Sequence, residues 1–196
     1  MAYKKAVQGR TYPFLYNVTM TVGSRKSVWK STVITPQQPV KTGMGQMGTQ
    51  TATKTAVTNY TASYEPNKRD DVMLVQYLLK RVYQRGQNCN PPLKSGVGDP
   101  HSPAALKIDG FCGPKTQGAI EHFQLEMRRG GKNIATDGCV DTERGGSSTS
   151  SVSKTGYTIS WLNKYFWVLY PELAPDISAD PECPPELKQA VGSGGF

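Results

Sequence analysis

Long apolar runs are missing from this chain. None approaches the roughly 18–20 consecutive apolar residues that a helix needs to cross a bilayer, and the longest stretch, around Trp161 to Tyr170, is broken by Asn163 and Lys164. No membrane span is expected. The N-terminus reads Met1-Ala2-Tyr3-Lys4-Lys5 and continues through Gln8, Arg10 and Asn17 without an apolar signal core, so no secretory leader is expected either. Histidine is scarce: His101 and His122 are the only two, and neither has a second histidine or a cysteine at helical spacing. The four cysteines, Cys89, Cys112, Cys139 and Cys183, lack the close pairing of a zinc site. No metal and no cofactor is therefore expected. Hydrolase, metalloprotease and phosphate-loop spacings are absent, and Gly43, Gly45 and Gly48 lie in a Thr/Gln stretch without the strand-to-helix context of a nucleotide site. Asp70 and Asp71 are adjacent at a helix start, where neighbouring side chains point apart and acids are favoured electrostatically. No catalytic residue is expected.

Acidic residues are also few, 15 against 23 Lys and Arg, for a net charge of +8. That balance favours acidic surfaces such as wall polymers, nucleic acid or anionic lipid. The basic residues are dispersed, with Lys68-Arg69, Lys80-Arg81 and Arg128-Arg129 as the doublets, which ranks nucleic acid last among these partners. The hydrophobic fraction of 37% is low and predicts a modest core with much loop.

What is present divides the chain in three. Residues 1–64 read as a β-rich extension: Phe14 to Val22 and Ser27 to Thr35 are candidate strands with Gly23 to Lys26 as a hairpin turn, and Thr55 to Tyr64 is a third. Between them, residues 37–55 form a Gly/Thr/Gln-rich arm expected to be flexible. Residues 65–175 carry helical periodicity. Val72, Leu74, Val75, Leu78, Leu79 and Val82 mark one apolar face of a first helix that Gly86 stops. Asn88 to Pro103 is a loop. A second helix runs from Pro114, tolerated in the first turn, to about Arg128, and a third from about Thr158 to Tyr170, ended by Pro171 and Pro175. Residues 176–196 read as a Pro/Gly-rich tail. The fold class expected is α+β, a three-helix core with an N-terminal β-rich extension.

The run Leu106-Lys107-Ile108-Asp109-Gly110-Phe111-Cys112-Gly113-Pro114-Lys115-Thr116, with its helix reaching Phe123-Gln124, resembles the signature of peptidoglycan-binding-like domains. The segment Asp71 to Leu79 resembles that family's first helix, and Asp137-Gly138 the turn that closes the motif. The resemblance covers about half the chain. It implies a compact helical module binding peptidoglycan or another cell-wall polymer, with Asp109, Gly110 and Gln124 supplying hydrogen bonds and Tyr77 or Phe111 an aromatic surface. The bland reading of the same residues is structural: Asp109-Gly110 makes a turn, Gly113-Pro114 starts a helix, and Phe123 fills the core. Each Asp-Gly is followed by a cysteine, which makes Cys112–Cys139 a candidate disulfide, with Cys89–Cys183 as the remaining pair.

Two functions follow. The first is a non-catalytic wall-binding protein of the cell envelope. The second is a self-assembling structural component, as in a phage virion, a contractile injection particle, a filament or a sheath. There the partners would be further copies of the chain or particle proteins, and assembly could begin in the cytoplasm. The arm and the open strand edges favour the second reading.

Overall fold

The structure is a computed structural model, and it describes residues 2–8, 12, 14–23, 27–33, 58–64, 67–94, 102–144 and 147–192. In chain order its elements are strands β1 (Tyr3–Ala6), β2 (Phe14–Asn17), β3 (Ser27–Val33) and β4 (Thr58–Tyr64), then helices α1 (Arg69–Arg85), α2 (Pro114–Arg129), α3 (Thr158–Leu169) and α4 (Pro185–Gly192). The architecture is mixed α+β with mostly helical content. It separates into two units, a helical body of Met1–Ser24 with Asn67–Phe196, and a β unit of Arg25–Pro66.

In the β unit, β3 and β4 pair antiparallel over seven residues each, from Ser27 opposite Tyr64 to Val33 opposite Thr58. The arm expected over 37–55 lies outside the described residues. Of the hairpin turn expected over Gly23 to Lys26, all but Gly23 lies outside the described residues. β2 pairs with β1, and Val22 bridges Val140 through mutual backbone hydrogen bonds of 3.0 and 2.6 Å. The apparent long strand stops at Asn17 because side chains capture the backbone beyond it. The carboxylate of buried Asp71 accepts from the N–H groups of Thr19 and Met20, at 3.1 and 3.0 Å.

The body is built around α1. Its sequence predicts one apolar face, yet Val72, Met73, Leu74, Val75, Tyr77, Leu78, Leu79, Val82 and Tyr83 are all buried, so the helix is enclosed on every side. Phe123 of α2 and Phe166 of α3 share this core, which carries edge-on aromatic contacts: Tyr77 with Phe166 at 5.8 Å and Phe123 with Tyr165 at 6.2 Å. α2 begins with Pro114 and ends in Arg128 and Arg129, the charge sign favoured at a helix C-terminus.

The segment expected as a tail completes this core. Ile177, Cys183, Leu187 and Val191 are buried in it, and residues 185–192 form α4. The helix was hidden because Pro181 and Pro184 precede it and Pro185 stands at its first position. Polar contacts fasten the segment: Tyr77 donates to Asp180 Oδ2 at 2.6 Å, and Arg81 pairs with Asp180 at 3.0 Å and Glu182 at 2.6 Å. The N-terminal residues 1–24 likewise belong to the body rather than to a separate extension. Asn163 of α3 holds both backbone groups of Tyr16 at 2.8 Å.

Candidate functional site

The two Asp-Gly turns are built alike. At the first, Gln76 of α1 accepts at Oε1 from the N–H groups of Asp109 (3.0 Å) and Gly110 (2.9 Å). Its Nε2 donates to Asp109 Oδ1 at 3.0 Å, Phe111 O at 3.2 Å and Thr116 Oγ1 at 3.0 Å. At the second, Gln124 of α2 accepts from the N–H of Gly138 at 2.9 Å and donates to Asp137 Oδ1 (3.1 Å), Cys139 O (2.8 Å) and Thr158 Oγ1 (3.0 Å). In each turn the aspartate also accepts from the N–H two residues on, Phe111 or Cys139, at 2.9 Å. Each unit is thus a buried glutamine on one helix, an Asp-Gly turn, and a threonine in the first turn of the next helix. Glycine is required in both. Gly110 and Gly138 have φ of +74° and +68°, and an added Cβ would stand 2.4 Å from the Arg69 side chain or 2.9 Å from Glu121.

This geometry redistributes the expected ligand residues. Gln124 is fully buried and spends its amide on the second turn, so it is not a ligand group. Tyr77 is fully buried and hydrogen-bonded to Asp180, so it offers no aromatic surface; desolvation and that carboxylate push its phenol far above the ordinary value. Gly110 serves the backbone of its turn. Asp109 and Phe111 do reach solvent, Phe111 with 70% of its surface exposed. Burial works against the charge of Asp109, but the Phe111 N–H, the Gln76 amide and Lys107 outweigh it and hold its carboxyl below the ordinary value.

The four cysteines are free thiols, so neither candidate disulfide is present. Gly23 lies between the two turns: its carbonyl faces Cys112 Sγ at 3.8 Å, and a Cβ on it would come within 2.1 Å of Gly138 O and 2.9 Å of Cys139 Cα. A backbone segment from the N-terminus joins the turns where a bridge was expected. Burial raises the Cys89 thiol to about 11 and the Cys183 thiol to about 12.

The second turn opens into a cleft of about 280 Å³, walled on one side by Asp137, Cys139 and Asp141 and on the other by Ser150, Val152, Ser153 and Thr155 to Thr158. None of the five residues expected to bind ligand lines it. Asp137 and Asp141 supply acceptors, Ser150, Ser153 and Thr155 hydroxyls, and Tyr157 and Val152 apolar surface, Val152 being 90% exposed. Such a mixture suits a small ligand that presents hydroxyls or amines beside an apolar face. The sequence signal for this site was the repeated Asp-Gly; what hid it was spacing, since the glutamine stands 33 residues before the first aspartate but 13 before the second. Among the described residues no group of three or more His, Cys, Asp or Glu could hold a metal ion, and no helix is long and apolar enough to cross a membrane. Comparison with protein-family models, curated proteins and solved structures finds no match.

Proposed function

We propose that this protein is a non-catalytic wall-binding module, built on a peptidoglycan-binding-like body, that takes a sugar or stem-peptide unit of peptidoglycan in the cleft at Asp137-Gly138. The observation that carries the reading is the duplicated unit of glutamine, Asp-Gly turn and threonine, the core of the signature that the sequence resembles, with an open polar cleft at one of its two copies. The glutamines set the turn and the residues outside it meet ligand. The test is co-sedimentation of the purified protein with isolated sacculi at two salt concentrations. Val152→Glu, at the rim of the cleft, is expected to abolish salt-resistant binding, whereas Phe111→Ala at the first turn leaves it intact. Loss with Phe111→Ala alone would move the site to the first turn, and no pelleting of the wild type would end the proposal.

A second reading, self-assembly, draws on β3–β4. A two-stranded ribbon is marginally stable by itself, and this one pairs through seven residues per strand with one charged residue, Lys30, and no proline in either strand. Natural sheet edges are usually blunted by lysine, proline or bulges. On this reading the ribbon gains strands from other copies of the chain, and light scattering would report large particles instead of a monomer.

A further inference from the structure

Resting on the wall-binding reading, we propose that Lys132 and Lys164, whose ammonium groups lie over Trp161, with Lys154 joined to them through its backbone, form a second site that holds phosphate groups of a phosphodiester-linked wall polymer. Three distant pieces of chain meet there. Lys164 and Lys132 place their ammonium groups over the Trp161 ring, at 5.1 and 5.7 Å from its centroid. Gly156 closes on the indole edge, where an added Cβ would lie 2.6 Å from Nε1. Asn133, next to Lys132, donates to Lys154 O at 2.9 Å and accepts from the N–H of Gly156 at 2.7 Å, which ties the second piece to the first.

Charge and strain point the same way. None of the three lysines has a carboxylate within ion-pair distance among the described residues, whereas Lys5, Lys80, Arg69, Arg81 and Arg85 all do. Lys154 has φ of +58°, a left-handed conformation that a non-glycine residue adopts at a cost, and it is held there by Asn133 and by its own N–H bond to Ser150 O at 3.0 Å. Two ammonium groups beside one indole, neither with a carboxylate partner among the described residues, raise the local positive potential and favour an anion there. Ammonium groups bind phosphate as compact point charges.

The choice of polymer follows from the indole. Binding of single-stranded nucleic acid relies on aromatic faces that stack bases, and here the ring carries two lysines. A polyol phosphate chain has no bases to stack and presents the repeated phosphates that this surface can read.

The experiment uses the full chain and its Lys132→Glu/Lys164→Glu variant, with Lys132→Arg/Lys164→Arg as the charge-conserving control and melting temperatures to verify folding. Each is titrated onto sacculi that retain their phosphopolymers, onto sacculi stripped of them by hydrofluoric acid, and onto single-stranded DNA. The expected result is a loss of about tenfold in affinity of the Glu variant for intact sacculi, unchanged affinity for stripped sacculi, weak DNA binding, and retention of affinity in the Arg control. Equal binding of wild type and Glu variant to intact sacculi overturns the phosphate site while leaving the cleft standing. Binding by the wild type to intact but not stripped sacculi upholds the phosphate site and removes the cleft. DNA bound as tightly as intact sacculi, and lost in the Glu variant, overturns the assignment in favour of a nucleic-acid surface.

Discussion

Replacing Gln76 by alanine should cost more stability than any exposed residue of the signature. The side chain is buried in α1 and makes five hydrogen bonds, two accepted from the Asp109 and Gly110 N–H groups and three donated to Asp109, Phe111 and Thr116. Truncation strands two backbone donors beside a new cavity that is partly open to water through the exposed turn. A buried polar group left unsatisfied costs about 1–3 kcal/mol, so the loss should total about 3–5 kcal/mol, a large part of the roughly 5–15 kcal/mol that holds a domain folded. The assay is urea unfolding followed by tryptophan fluorescence, with Phe111→Ala as the exposed control expected within about 0.5 kcal/mol of wild type. The midpoint should fall sharply while the denaturant slope stays constant. A Gln76→Ala loss below about 1 kcal/mol would show that the amide is not what sets the turn, and would refute the structural assignment of the signature.

Three further outcomes follow from the same geometry. Leu187→Ala in α4 should destabilise the body by about 2–5 kcal/mol in the same assay, as for a core leucine; a neutral result would mean that residues 176–196 form a tail after all. Cys89 and Cys183, whose thiols are raised to about 11 and 12 by burial, should react slowly with a thiol reagent at pH 8 in the native state and fast in urea; fast native reaction of both would contradict their burial. Glu182, held down by Gln84, Arg81 and Lys80 against partial desolvation, Asp176, held down by Ser178, and Asp109 all have carboxyls below their ordinary values. Their contribution is full above the unfolded carboxylate range of roughly 4 and is lost as pH falls through the lower folded values. Melting temperature should therefore hold above about pH 5 and drop in acid, and Glu182→Gln should flatten the drop.

The helices were legible because their apolar spacing and their glycine and proline signals are local. Asp70 and Asp71 open α1, Pro114 starts α2, and Pro171 follows α3, all as backbone chemistry requires. What stayed hidden depends on partners far along the chain. Asn163 and Asp71 take backbone groups around β2, which no strand pattern reports. Tyr77 looked like a surface aromatic until Asp180, 103 residues on, claimed its hydroxyl. Gln124 was legible as part of a signature, but its role was not: a polar residue on an amphipathic helix suggests solvent, and here it faces a turn. Lys132, Lys154 and Lys164 read as dispersed charge, and only Trp161 brings two of them together.

The central claim, that the Asp-Gly signature builds the body while the cleft at its second copy meets the wall, is tested most directly by mapping contacts. Backbone amide shifts of the full chain would be followed by NMR during titration with a soluble disaccharide-peptide fragment of peptidoglycan. The account predicts shifts concentrated at Asp137 to Asp141 and Ser150 to Thr158, with Leu106 to Gly113 unmoved. Shifts centred on Asp109 to Phe111 instead, or none at saturating fragment, would contradict it.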